Sequence, residues 1–156
     1  VNLSENPAIL TYLADAYPEA GIFPAINSPM DRAQVASALA FFSATVQPQV
    51  RGMFNPKRMT TGETDGVRDM AMQLGKQSFD YADFRIAENG WWMGVPSILD
   101  IYLNWAFDIA GKAGYEGEGH SHLLGLTDRI GRAIPAFATV MKSELDLYQH
   151  LMTPQA

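Results

Sequence analysis

The chain has 156 residues, 47% of them hydrophobic and 18% charged, with a formal net charge of -6 and no cysteine. That length suits one domain, or one domain with an appendage, and the composition is enough for a sizeable core. The acidic balance argues against nucleic acid, whose phosphates demand clustered Lys and Arg, and against an anionic membrane surface. Without cysteine there is no disulfide, no thiolate metal site and no cysteine nucleophile. Such a chain suits a reducing cytosol. No apolar run is long enough to span a bilayer. The opening VNLSENPAIL carries neither an initiator Met nor a basic region, so it reads as the continuation of a longer pattern rather than a signal peptide.

In chain order, Asn6 is expected to cap a short helix with Pro7 in its first turn, where a missing N–H does no harm. Ile9, Leu10, Leu13 and Ala14 then fall at helical spacing. PEAGIFPAINSP, residues 18–29, reads as a linker, and the segment before it is too small to fold alone. A long helix is expected from about Asp31 to about Phe54, with Val35, Leu39, Phe42 and Val46 on one stripe and a kink at Pro48. After the loop NPKRMTTGETDG, a second long helix starts near Thr64 or Asp65 and stops at Gly90. Its buried face is read as Val67, Met70, Ala71, Leu74, Ser78, Tyr81 and Ala82.

GVPSILDIYL, from Gly94 to Leu103, holds the sharpest local signal. Ser97 is an N-cap whose hydroxyl takes the N–H of Asp100, and the Asp100 carboxylate reaches back to the N–H of Ser97: a capping box with Asp in place of Glu. The negative charge also suits the helix N-terminus. Pro96 and Ile101 are placed to form a hydrophobic staple. Asp100, Asn104, Asp108 and Lys112 make one thin polar stripe on an otherwise apolar helix, which is expected at the centre of the core. Two further helices are expected, over about Ser121–Arg132 and Pro135–Leu145, with the tail QHLMTPQA frayed. No strand pattern or repeat stands out, so the fold class is all-α.

Few residues carry an independent chemical signal. His120 and His122 form H-x-H in a glycine-rich loop, but the sequence places no third ligand near them, so solvated loop histidines are the favoured reading; His150 lies in the tail. Trp91 and Trp92 read as core. Gln47 and Arg51 stand one turn apart across Pro48, where a kink opens the helix face and an Arg suits a carboxylate. A solvated polar face is the simpler reading of the pair.

Taken together, these segments resemble the glutathione S-transferase family, bacterial members most of all. SENPAILTYLADAYPEAGIFP resembles the end of that family's thioredoxin-like domain and the linker after it. DRAQVASALAFF resembles the start of its all-helical domain, WWMGVPSILDIYL its capping-box segment, and RIGRAIPAFATVMKSE its closing helices. The resemblance implies residues 1–17 as the last helix of the thioredoxin-like domain, 18–29 as the interdomain linker and 30–156 as the all-helical C-terminal domain. It implies glutathione as co-substrate, no metal, apolar electrophilic small molecules as second substrates, a homodimer, and cytoplasmic detoxification. Glu5 and Asn6 stand where the family's acid–Ser pair holds the γ-glutamyl end of glutathione, with Asn in place of Ser. Gln47, Pro48 and Arg51 fall on the second-substrate wall, Ser97 and Asp100 carry over as folding residues, and the long helices around Asp31–Phe54 and Thr64–Ala87 as the dimer interface. The family's catalytic Tyr, Ser or Cys is expected ahead of Val1, so this chain alone is expected to be inactive. A non-enzymatic helical binding or assembly module, and a glutathione-dependent thiol reductase or isomerase, are the alternatives.

Overall fold

The computed structural model describes residues 2–152, with side chains through residue 145. Its elements are α1 (Asn6–Ala16), α2 (Pro29–Ala40), α3 (Gln47–Phe54), α4 (Asp65–Asn89), α5 (Ile98–Lys112), α6 (Ser121–Leu124), α7 (Leu126–Ala133) and α8 (Pro135–Met152), and no strand occurs among the described residues. No helix among them is long and apolar enough to cross a membrane. Asn6 is the first residue of α1 rather than its cap. Glu5 occupies the cap position and makes no side-chain capping bond.

The expected long helix is three pieces on one path. Between α2 and α3 the backbone widens into a π turn over Phe41–Val46, where the N–H of Gln47 reaches the carbonyl of Phe42, five residues back. Pro48 is the physical reason. It offers no N–H to the preceding turn and its ring crowds that turn's carbonyl, so the helix relaxes ahead of it by taking in one extra residue. The distortion therefore precedes Pro48 instead of centring on it. Val35, Leu39, Phe42 and Val46 remain buried along the whole path. Ser28 caps α2, its hydroxyl accepting the N–H of Asp31 at 3.1 Å.

α3 packs closely on α4, and glycine sets their separation. A Cβ on Gly52 would lie 2.8 Å from the Cβ of Ala71, closer than two carbons can approach. This contact fixes the rotation of α4. Its buried residues are Ala71, Gly75, Ser78, Phe79, Ala82 and Ile86. Met70, Leu74 and Tyr81, expected on the buried face, are exposed. The α4 sequence carries two adjacent apolar stripes, and side-chain hydropathy alone selects the bulkier one, whereas close packing selects the one containing Gly75.

α5 runs through the centre with Leu99, Asp100, Tyr102, Leu103, Asn104, Ala106 and Ala110 buried, although Trp105 is exposed. Its N-terminus forms the capping box. The Ser97 N–H donates to Asp100 Oδ2 at 2.9 Å, the Ser97 hydroxyl donates to the same oxygen at 3.1 Å, and the Leu99 N–H donates to Ser97 Oγ at 3.3 Å. Two bonds come from farther away. The N–H of Ile98 donates to the carbonyl of Ile22, and the N–H of Trp92 donates to Asp100 Oδ1 at 2.8 Å. The Ile22 bond ties the 18–29 segment to the start of α5, and the Asp100 bond ties the Trp91–Gly94 turn to it. Pro96, expected in a hydrophobic staple, is exposed.

The region expected as one helix over Ser121–Arg132 is broken at Gly125 into α6 and α7. α8 continues past the expected end near Leu145. Of the tail expected to fray, residues 153–156 lie outside the described residues, as does the side chain of His150.

Asp100 is fully buried, and desolvation pushes its carboxyl above the ordinary value of 3.8, against the lowering effect of the bonds from Trp92 and Ser97. A carboxyl that is harder to ionise in the folded chain favours folding most below its ordinary value. That advantage is lost as pH rises through the raised folded value. Asp100→Ala is expected to cost about 3 kcal/mol, because two buried backbone donors lose their acceptor. In urea unfolding, the gap between parent and variant should be larger at about pH 4 than at neutral pH; a gap that closes on acidification contradicts this sign. Gly52→Ala should destabilise by about 1–3 kcal/mol through overpacking against Ala71. Gly111→Ala, with open space around its Cβ, should by contrast stabilise by about 0.5–1 kcal/mol. Thermal melts of both variants check the pair.

Candidate functional site

Three helices meet at one side chain that the sequence reading passed over. Tyr102 lies on the buried side of α5, 6% exposed, and its hydroxyl donates to Gln47 Oε1 at 2.9 Å. The Tyr102 hydroxyl oxygen itself accepts from Asn6 Nδ2 at 3.5 Å. The first residue of α1 is thereby joined to the first residue of α3 through α5. Phe42 packs against the Tyr102 ring with centroids 5.5 Å apart, which holds the hydroxyl at the junction. The available signal was a Tyr on an apolar helix face, since a buried phenol needs a polar partner; nothing local says which one.

Around this junction the expected site residues separate. Glu5 and Asn6 are exposed at the α1 N-terminus. Glu5 has φ 71 and ψ 126, and it is the one non-glycine residue with positive φ among those described. Holding an L-residue there costs on the order of 1–3 kcal/mol, and such strain gathers at ligand sites. α1 also has no side-chain cap, so its first N–H groups are open to an incoming acceptor. Gln47 joins the Tyr102 junction, and Arg51 is exposed one turn on. Pro48 lines a different space. With Gln49, Met59, Val67, Met70 and Leu74 it borders an open apolar groove of about 500 Å³ between α3 and α4. A second open groove, of about 660 Å³, lies between α1 and α2 and is edged by Leu3, Tyr12, Leu39 and Ser43.

The two loop histidines are not solvated equals. His120 is buried, with Nε2 2.9 Å from Asp80 Oδ1 and Nδ1 3.4 Å from the Tyr115 hydroxyl. His122 is partly exposed and sits 3.1 Å from Asp83 Oδ2. Both partners lie on α4, about 40 residues upstream, where no sequence spacing points to them. The Lys76 hydrogen bond, followed by that of His120, holds Asp80 below the ordinary carboxylate value. Burial, then the Asp80 charge, pushes Tyr115 up to about 12. Asp83 Oδ1 accepts the backbone N–H groups of both His122 and Leu123 at 2.9 Å, so an α4 carboxylate caps α6. The cluster fastens the glycine-rich loop to α4. Gly117, at φ 70, lies where a Cβ would come within 2.8 Å of the Phe107 ring.

No protein-family model matches the sequence, and no curated protein matches it significantly. Solved structures do. A bacterial β-class glutathione S-transferase of Sphingomonas chungbukensis superposes with a TM-score of 0.77 at 25% identity, covering 91% of this chain and 68% of the other. A sphingomonad glutathione S-transferase complexed with glutathione also superposes with a TM-score of 0.77, at 29% identity and the same coverage. The chain therefore has the all-helical architecture found within the glutathione S-transferase fold. More narrowly, it is similar in structure to these two bacterial transferases, one of them of the β class.

Asp83→Ala should cost about 2 kcal/mol, since two partly buried N–H groups lose one acceptor. Hydrogen exchange at the His122 and Leu123 amides should accelerate together. If only one amide speeds up, the shared cap is wrong.

Proposed function

We propose that this chain forms the helical second-substrate wall of a glutathione transferase and part of its glutathione cradle. The observation that carries the reading is the junction of Asn6, Tyr102 and Gln47, in a fold that matches a transferase complexed with glutathione. The uncapped N-terminus of α1 suits the γ-glutamyl carboxylate, which would accept from the backbone N–H of Asn6. The Glu5 carboxylate suits the γ-glutamyl ammonium. Tyr102 holds Asn6 and Gln47 in register, so the glutathione side and the electrophile side of the cleft keep a fixed spacing. Gln47 and Arg51 give the wall its polar face, and Pro48 shapes the helix that carries them.

Two further roles belong to this reading. Met70, Leu74, Tyr81 and Phe84 expose a row of large apolar side chains on α4, which supports α4 and the α2–α3 path as a homodimer surface. The reading assigns thiol activation to a residue outside these 156. Bound there, glutathione would be held as a thiolate for attack on an apolar electrophile, and the helical wall would orient that electrophile.

Isothermal titration of the chain with glutathione tests the cradle. Weak binding is expected, with Asn6→Ala and Tyr102→Phe each reducing it severalfold while melting temperatures stay close to the parent's. Conjugation of glutathione to an aromatic halide by the chain alone should stay at background. Equal affinity in all three proteins, or clear turnover by the chain alone, contradicts the assignment.

A further inference from the structure

Asn104 is a buried amide with one end in use. It lies on α5, 5% exposed, and its Oδ1 accepts the Thr127 hydroxyl at 2.8 Å, which ties α5 to α7. Its Nδ2 has no acceptor among the described residues. That nitrogen is not sealed in the core. The buried side-chain atoms left without a partner among the described residues are Gln49 Oε1 and Arg85 Nε. Asn104 Nδ2 therefore meets open space, where an incoming acceptor can reach it.

That space is an open cleft of about 440 Å³, bounded by α5, the glycine-rich loop, α6 and α7. A volume of that size falls in the range of small-molecule sites. Asn104 and Tyr102 stand two residues apart on α5, which turns their side chains through about 200°. The cleft thus lies on the other side of the helix from the Asn6–Tyr102–Gln47 junction. Thr127 lines it beside Asn104. Having donated its proton to Asn104, Thr127 Oγ1 keeps lone pairs free to accept. Phe107 and Tyr115 form an aromatic wall, with ring centroids 6.2 Å apart, and Leu123 and Leu124 an aliphatic one. The Tyr115 hydroxyl is engaged by His120 Nδ1 at 3.4 Å, so Tyr115 offers the cleft its ring. Charge is arranged against an anion. Lys112 is already paired with Asp108 at 2.6 Å, which leaves Glu116 as the unpaired charge of the lining among the described residues.

From this arrangement we infer that the cleft between α5 and α7 binds a neutral planar carboxamide, its carbonyl oxygen accepting from Asn104 Nδ2 and its N–H donating to Thr127 Oγ1. A carboxamide carries an acceptor and a donor on one edge, which complements this pair. An aromatic ring attached to it packs against Phe107 and Tyr115. A carboxylate has no proton for Thr127 and meets Glu116 as a like charge, and an ammonium has no acceptor for Asn104. The site does not depend on the glutathione reading.

The test is a titration of the full chain with benzamide, read at the asparagine side-chain amide resonances by NMR, with benzoate as the anion of the same shape. The Asn104 pair is expected to shift saturably, with a midpoint on the order of millimolar, the range open to so small a ligand. The pair of exposed Asn89 should move little. Gly111 lines the cleft and a Cβ there meets nothing within 4 Å. Gly111→Leu should therefore keep the melting temperature near the parent's, yet fill the cleft and remove the response. Thr127→Val should weaken the response severalfold, and benzoate should bind severalfold more weakly than benzamide. An Asn104 signal that stays still, or drifts linearly with Asn89, overturns the site, as does a response that survives Gly111→Leu. Benzoate binding as tightly as benzamide overturns the carboxamide assignment.

Discussion

The buried carboxylate of Asp100 is the point from which the rest of the helical domain hangs. One oxygen serves Ser97, through both its N–H and its hydroxyl, and the other serves the N–H of Trp92. The start of the central helix, the turn before it and the Trp92 ring thus share one anchor. Trp92 in turn packs against Phe41, Phe42 and Tyr81, and its carbonyl takes a bond from Arg85. With Asp100 in place, Tyr102 stands two residues further into α5, where its hydroxyl meets Gln47 and Asn6. A folding residue therefore sets the position of the residue that organises the candidate site, without touching a ligand itself.

A second constraint comes from shape. Pro48 denies the preceding turn a donor, and the chain answers with the π turn over Phe41–Val46. The extra residue rotates everything beyond it, which turns Gln47 toward Tyr102 and Pro48 toward α4. Gly52 then admits α4 to close contact with α3. Together they leave Met70 and Leu74 along an open groove instead of in the core. The same packing leaves Arg85 and Tyr81 beside α2, around a small cavity.

The position of α1 differs in kind. None of its residues is buried, its N-terminus lacks a side-chain cap, and Glu5 ahead of it is held at positive φ. A helix so lightly held contributes little to the core described here. What it presents are open backbone donors and a strained acidic residue, joined to the core through Asn6 and Tyr102.

The sequence alone determined the all-α class, the placement of the central helix by its capping box, the punctuation by Pro48, Gly90 and Pro135, and the family resemblance. These are legible because caps, prolines and apolar periodicity act over one or two turns, within a few residues of their cause. Only the tertiary structure decided which apolar stripe of α4 faces inward, since that depends on Gly52 meeting Ala71 across two helices. The pairing of His120 with Asp80 and of His122 with Asp83, and the convergence of Asn6 and Gln47 on Tyr102, were likewise settled in three dimensions. Each joins residues far apart in the chain, and a side chain's spacing along its own helix says which way it points but not what stands opposite.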